Sequence, residues 1–268
     1  MSYLLPETAL VEVKEVERDG FYAKFDIEPL APGYGVTLAN SLRRVLLASL
    51  PGAAITSVRI EGATHEFSTV PGVEEDVVEI ILNLKNLNFK LNSDEPIILT
   101  LDKKGPGVVT AADFKKHADV EIMNPSLHIA TLDKKGHLSL EVSCEKGRGY
   151  VTVEMRRAEK QPLGSIAIDS IFTPTKKVHY TVENTRVDQM TNFDKISLEI
   201  TTDGTVDPYD ALKQASQILI DHFSILAGLA INTSAEEPVL TETEMIDENE
   251  IVEAKPKRRS RKVAEVTE

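Results

Sequence analysis

Apolar and polar positions alternate through the first thirty residues, in TALVEVKEVE and FYAKFDIEPL, on either side of an Asp19-Gly20 pair. A period of two with an Asp-Gly turn signal predicts that the chain opens with a β-hairpin. The period changes at GYGVTLANSLRRVLLASLPG, which reads as a helix over about 35–50 stopped by Pro51-Gly52. Strand character returns in AITSVRIEG and HEFSTV before a second Pro-Gly pair at 71 and 72. A second helix is expected from Glu74 through EEDVVEIILNLKNL, its first turn holding Glu74, Glu75 and Asp76 at the positive end of the helix dipole.

From about 87 to 200 the pattern is of short strands punctuated by Gly, Pro, Asn and Asp: NFKL, PIILTLD, DVEIM, HLSLEVS, GYVTVEM, KKVHYTVE and KISLEIT. A mostly antiparallel region follows from that spacing. The longest helix is predicted after TTDGTVDP, with Asp207 as N-cap, Pro208 in the first turn and an end near Leu229. Beyond Ser234 the periodic pattern stops, and the remaining polar residues are expected to be a disordered tail.

At 100° per residue, Leu38, Leu42, Val45, Leu46 and Ser49 share one face of the first helix, the expected core stripe. Asn40, Arg43, Arg44 and Leu47 point away from it, either as a solvated face or as an interface in which arginine sits beside an exposed aliphatic residue. On the last helix Leu212, Leu219, Phe223, Leu226 and Ala230 form a stripe flanked by Ala211, Ala215, Ile218, His222 and Leu229. That breadth serves either one wide core contact or a core and a partner subunit. The second helix presents Val77, Ile80, Ile81, Leu84 and Leu87 to a core and leaves Glu79 and Lys85 outside it.

Charge and composition narrow the functions. A net charge of −13 argues against a body that grips phosphate backbones. One cysteine, Cys144, excludes an intramolecular disulfide, and the N-terminus lacks a signal-peptide layout, so a reducing cytoplasm is the expected compartment. Six scattered histidines have no metal-ligand spacing. GRGYV lies among strands, where a turn or bulge is the expected use of its glycines, and no nucleophile elbow, Walker loop or dinucleotide fingerprint occurs. No two aspartates are separated by a single residue, and Cys144 sits in a strand-like run as a small hydrophobe. No residue set looks catalytic.

Taken in order, IEPLAPGYGVTLANSLRRVLLASLPG, HEFSTVPGVEEDVVEIILNLKNL, ILTLDKKGPGVVTAADF, GRGYV, and IDSIFTPTKKVHYTVENTRVDQMTNFDKISLEITTDGTVDP with the helix after it closely resemble the alpha subunits of bacterial DNA-directed RNA polymerase. Thr152 departs from the proline that this family usually places after GRGYV.

The resemblance implies an α+β fold of two subdomains. Residues 1–50 with 174–232 would form a discontinuous dimerisation subdomain, 51–173 an inserted α+β subdomain, and 233–268 an acidic-then-basic tail. It further implies a homodimer that recruits the β and then the β′ subunit, with omega and sigma joining the full enzyme. This chain would hold no cofactor, and the catalytic magnesium would lie in the β′ subunit. Position by position, Arg44, Leu47, Lys85 and Ile168 match β-facing sites, and Glu79 and Thr173 match β′-facing ones. For Ile168 a core position is the alternative. Leu38, Leu42, Phe223 and Leu226 are the expected dimer contacts, since the resemblance pairs the first and last helices across two copies.

The family's C-terminal DNA-binding domain is expected to be absent. Residues 236–253 hold eight acidic residues and no basic one, and Lys255, Lys257, Arg258, Arg259, Arg261 and Lys262 follow. That basic cluster would either touch nucleic acid weakly, near promoter DNA, or only solubilise the tail. Two competing readings are a free-standing dimeric interaction protein and a small-molecule enzyme. The first is disfavoured by retention of Arg44, Leu47 and Lys85, the second by the lack of a converging polar pocket.

Overall fold

A computed structural model describes residues 11–156, 164–187 and 190–228. The basic cluster at Lys255–Lys262 and the expected end of the last helix at Leu229 lie outside the described residues. In chain order the first elements are β1 (Glu12–Asp19), β2 (Tyr22–Leu30), α1 (Tyr34–Ala48), β3 (Pro51–Ile60), α2 (Val77–Lys85), β4 (Phe89–Leu91) and β5 (Ile97–Lys104). Next come β6 (Gly107–Thr110), β7 (Val120–Ile122), β8 (His128–Leu132), β9 (His137–Arg148), β10 (Tyr150–Val151), β11 (Ile166–Ala167) and β12 (Ser170–Ile171). The last are β13 (Thr175–Val187), β14 (Met190–Thr202) and α3 (Pro208–Leu226). Every strand pairing among the described residues is antiparallel, and the fold is α+β.

Two hydrophobic cores organise these elements. The first lies under a sheet of order β1-β2-β14-β13. Phe25 of β2 and Ile196, Leu198 and Ile200 of β14 turn one face of it toward Leu42 and Leu46 of α1 and Ala211 and Ala215 of α3. The opposite face carries Lys24, Asp26, Lys195 and Glu199, and there Lys195 Nζ lies 2.6 Å from Asp26 Oδ2. The second core is built on a sheet of order β11-β3-β9-β5 packed against α2, with Ile80, Leu84, Leu101, Leu140 and Val142 inside it.

The chain crosses between the cores where β3 begins and where it returns into β13. A Cβ on Gly52 would stand 1.8 Å from the Phe172 carbonyl oxygen, and one on Gly147 would meet the Phe172 ring at 2.8 Å. Glycine is needed there because two backbones and an aromatic ring share the same space.

Several local expectations are corrected. HEFSTV forms a tight turn, with Ser68 N–H donating to the His65 carbonyl, and only Thr69 bridges to Asp76. α2 starts at Val77, and Glu75 lies outside the helix, where it accepts from the Thr131 N–H and hydroxyl. GYVTVEM is two strand residues followed by a 3-10 turn at Val153–Arg156. β3 begins at Pro51 itself, so the Pro-Gly pair opens a strand as well as ending a helix. The buried stripe of α1 is Gly35, Ala39, Leu42 and Leu46, whereas Leu38 is exposed.

Candidate subunit-interaction surfaces

The orientation of α1 is fixed from outside the helix. Its N-cap is Gly33, in a left-handed conformation with φ of 86° and with no side chain to cap the exposed amides. The carboxylate of Asp194, on β14, does so instead: Asp194 Oδ2 accepts from Gly33 N–H and Gly35 N–H, both at 2.9 Å. An anion at a helix N-terminus satisfies orphan donors and the dipole together. Gly35 permits the approach, since a Cβ there would stand 2.7 Å from Val182 Cγ1 and 2.9 Å from Asp194 Oδ2.

With the buried stripe against the sheet, Arg43 and Arg44 are exposed, and neither side chain makes a hydrogen bond or ion pair among the described residues. Leu47, one turn beyond Arg44, is half-buried against the first core. Its carbonyl accepts from the Thr173 hydroxyl at 3.0 Å, which ties the end of α1 to the segment entering β13.

α2 is held by its own cap, Asp76, whose side chain accepts from Glu79 N–H at 2.8 Å. Glu79 is exposed on its first turn and Lys85 on its last, and the expected core stripe of this helix is buried throughout. Lys85 Nζ lies 3.9 Å from Asp169 Oδ2 at the edge of a cleft of about 310 Å³, lined also by Asn88, Ile171, Thr173 and Lys176. Across the β10–β12 pair Tyr150 faces Ile171, and burial first, then the Asp169 carboxylate, raises the Tyr150 phenol above its ordinary value. Lys85 and Thr173 both line this cleft, and the Thr173 hydroxyl links it to the Leu47 carbonyl.

Two expected contact residues are buried in this chain. Ile168 is 2% exposed and packs in the second core, the alternative that its sequence left open. Leu42 is 8% exposed, on the face of α1 that packs into the first core. Leu38 does reach the surface, at 36% exposure. On α3 only the N-terminal half is buried, through Ala211, Leu212 and Ala215, after Asp207 caps the helix by accepting from Tyr209 N–H. Phe223 and Leu226 are 59% and 80% exposed, and Ile220 and Ile225 beside them are exposed as well. The last two were missed because the stripe was drawn on one helical line. The apolar residues instead wrap most of the final two turns.

Cys144 is not poised as a nucleophile. Burial, with a smaller contribution from Glu145, pushes the Cys144 thiol up to about 12. Among the described residues no three His, Cys, Asp or Glu side chains converge as metal ligands, and no helix is long and apolar enough to cross a membrane.

Residues 58–173 match the family model for the RNA polymerase Rpb3/RpoA insert domain, a span that holds all the buried residues of the second core except Ile55. Over 228 residues the chain is 51% identical to the DNA-directed RNA polymerase subunit alpha of Clostridium beijerinckii, covering 85% of this chain and 72% of that one. The chain belongs to the DNA-directed RNA polymerase alpha subunit family. The alpha subunit of Moorella thermoacetica is 54% identical over 81% of this chain and 70% of its own length. That of Desulforamulus reducens is 48% identical over 97% of this chain and 79% of its own length. Family membership puts the chain's role in DNA-directed RNA polymerase, a multisubunit complex.

Proposed function

We propose that this chain is the homodimeric assembly subunit of a DNA-dependent RNA polymerase. Two copies pair through the C-terminal half of α3 together with the Leu38 edge of α1. The dimer then offers Arg44, Leu47 and Lys85 to the β subunit, and Glu79 and Thr173 to β′. The observation that carries this reading is the pair of faces on one unit. Ile220, Phe223, Ile225 and Leu226 are 55–80% exposed, more contiguous apolar surface than a short helix end ordinarily leaves in water, while Arg43 and Arg44 stand unpaired on another helix.

In this reading residues 1–50 with 174–232 are the dimerising part and 51–173 the inserted part. Nucleotide addition and its magnesium belong to the large subunits, and the complex works in the cytoplasm. Omega, sigma and promoter DNA meet the chain through that complex.

The test is reconstitution with purified β and β′. Arg44→Ala should leave the dimer intact and weaken β capture by about 2 kcal/mol. Phe223→Asp should give a monomer, because pairing would bury an unpartnered charge. A wild-type chain that sediments as a monomer at micromolar concentration, or that captures neither large subunit, refutes the proposal.

A further inference from the structure

No buried residue belongs to both cores, and the chain passes between them at two places that touch, Gly52 where β3 begins and Phe172 where the chain returns toward β13. The hydrogen bonds from the Thr173 hydroxyl to the Leu47 carbonyl and from Asp203 N–H to the Pro174 carbonyl lie on that crossing. Two segments passing at one place make a single attachment, about which the inserted part could still swing and twist. The seam beside it is hollow. Asn86, Leu87 and Asn88 line the cleft of about 310 Å³, and the next residues, Phe89 and Lys90, line a second of about 370 Å³ together with Val206 and Gln214.

Asn88 bridges this seam. Its backbone is fixed within the inserted part, the N–H donating to Asn124 Oδ1 at 3.0 Å and the carbonyl accepting from Met123 N–H at 2.9 Å. Its side chain reaches out of that part, and Nδ2 donates to the Asp203 carbonyl at 3.0 Å. Asp203 is held in turn: its Oδ1 accepts from the Thr205 N–H and hydroxyl, at 2.9 and 2.6 Å, just before the Asp207 cap of α3. The bond therefore joins a held backbone to a held turn and gives the seam a second fixed point.

We propose that Asn88 is a positioning residue: it sets the angle between the two parts, and thereby the spacing between Arg44 on α1 and Lys85, three residues before it at the end of α2. This rests on the assembly reading above, in which one β-facing surface draws on both parts. If the angle wanders, only the fraction of chains with the right spacing binds, and the apparent affinity falls by that fraction. Loss of one hydrogen bond between neutral groups shifts such an equilibrium by about 2- to 12-fold.

The experiment compares wild type with Asn88→Asp and Asn88→Leu, which remove the donor at nearly constant volume, and with Asn83→Asp and Asn83→Leu as controls. Asn83 is half-buried like Asn88 and donates Nδ2 to the Ile129 carbonyl at the same 3.0 Å, but both ends of that bond lie within the inserted part. Spin labels at Lys135→Cys and Glu183→Cys, exposed positions on the two parts, report the distance between them by pulsed electron resonance in full-length dimers holding one labelled copy. The Asn88 variants should broaden the distance distribution, keep wild-type dimerisation and weaken β capture by about 3- to 10-fold. The Asn83 variants should lower the unfolding midpoint and leave the distribution as narrow as in wild type.

A wild-type width in both Asn88 variants, or equal broadening in the Asn83 variants, overturns the proposal. Broadening without any loss of β capture overturns it too, since the angle would then not matter to assembly. Failure of the wild-type chain to capture β refutes the assembly reading, while broadening confined to the Asn88 variants would still uphold the fixed angle.

Discussion

Asp194 caps α1 from the far end of the sequence, and its removal is the sharpest stability test of this fold. The carboxylate is 8% exposed and accepts two backbone N–H groups at 2.9 Å each. Hydrogen bonds to a charged partner contribute about 1.5–3 kcal/mol apiece, and loss of an ordinary N-cap costs about 0.5–2 kcal/mol. Asp194→Ala leaves two donors unsatisfied at the dipole's positive end, so a loss of about 3–5 kcal/mol is expected, near the upper range for a single polar substitution. Asp194→Asn keeps a carbonyl acceptor in the same place and should lose about 1–2 kcal/mol.

The assay is urea unfolding at pH 7 followed by circular dichroism, with amide exchange to locate the loosened region. Exchange should rise first in the opening turn of α1, and capture of the large subunits should fall with it because α1 carries Arg44 and Leu47. An Asp194→Ala chain within about 0.5 kcal/mol of wild type, the range of ordinary surface changes, would refute the capping argument.

Three further outcomes follow from groups already described. Ile168→Ala should cost about 2–5 kcal/mol in unfolding experiments, as for other buried aliphatic truncations, yet leave capture normal below its melting temperature. Burial alone would raise the Asp26 carboxyl, but the Lys195 and Ser197 hydrogen bonds and the charges of Lys195 and Lys24 outweigh it and leave it below its ordinary 3.8. The stability this contributes is present above the unfolded value and lost as pH falls through the folded one, so Asp26→Asn should flatten the acid limb of a melting-temperature profile below about pH 4. The Asp26 hydrogen bond, working against burial, raises the Lys195 ammonium, so that share should fade only in alkali above 10.5. Cys144 should resist a chromogenic thiol reagent at pH 8 until urea opens the second core.

Sequence periodicity disclosed the elements whose partners are local. The α2 stripe and the Asp207-Pro208 start of α3 depend on residues within a turn or two of each other, and both stand as expected. α1 shows where the pattern misleads. Counting leucines put Leu38 in the core, but the helix packs so closely on the sheet that Gly35 and Ala39 take those positions. Small residues carry little weight in a hydrophobicity pattern although they set the distance of approach. Its cap lies 161 residues away in sequence, so no local signal could announce it. HEFSTV alternates like a strand, yet the Ser68 hydroxyl donates to the His65 carbonyl at 2.6 Å and stabilises a turn. Among site residues, the outward placing of Arg44 was legible from the helical wheel. Burial of Ile168 was not, because β11 is two residues long and gives no period to read.

The close passage of Gly52 against Phe172 also bears on the order in which the chain can fold. β2 and β14 belong to opposite ends of the described chain, and joining them directly from an unfolded state would close a very long loop. Once residues 52–172 have collapsed on their own core, their two ends are already in contact, and the effective loop between β2 and β14 is roughly fourfold shorter, which lowers the closure cost by about 1 kcal/mol. Early formation of the second core therefore brings forward the pairing that completes the first. The sheet under α1 and α3, although begun at the N-terminus, is expected to be the last part of the chain to form.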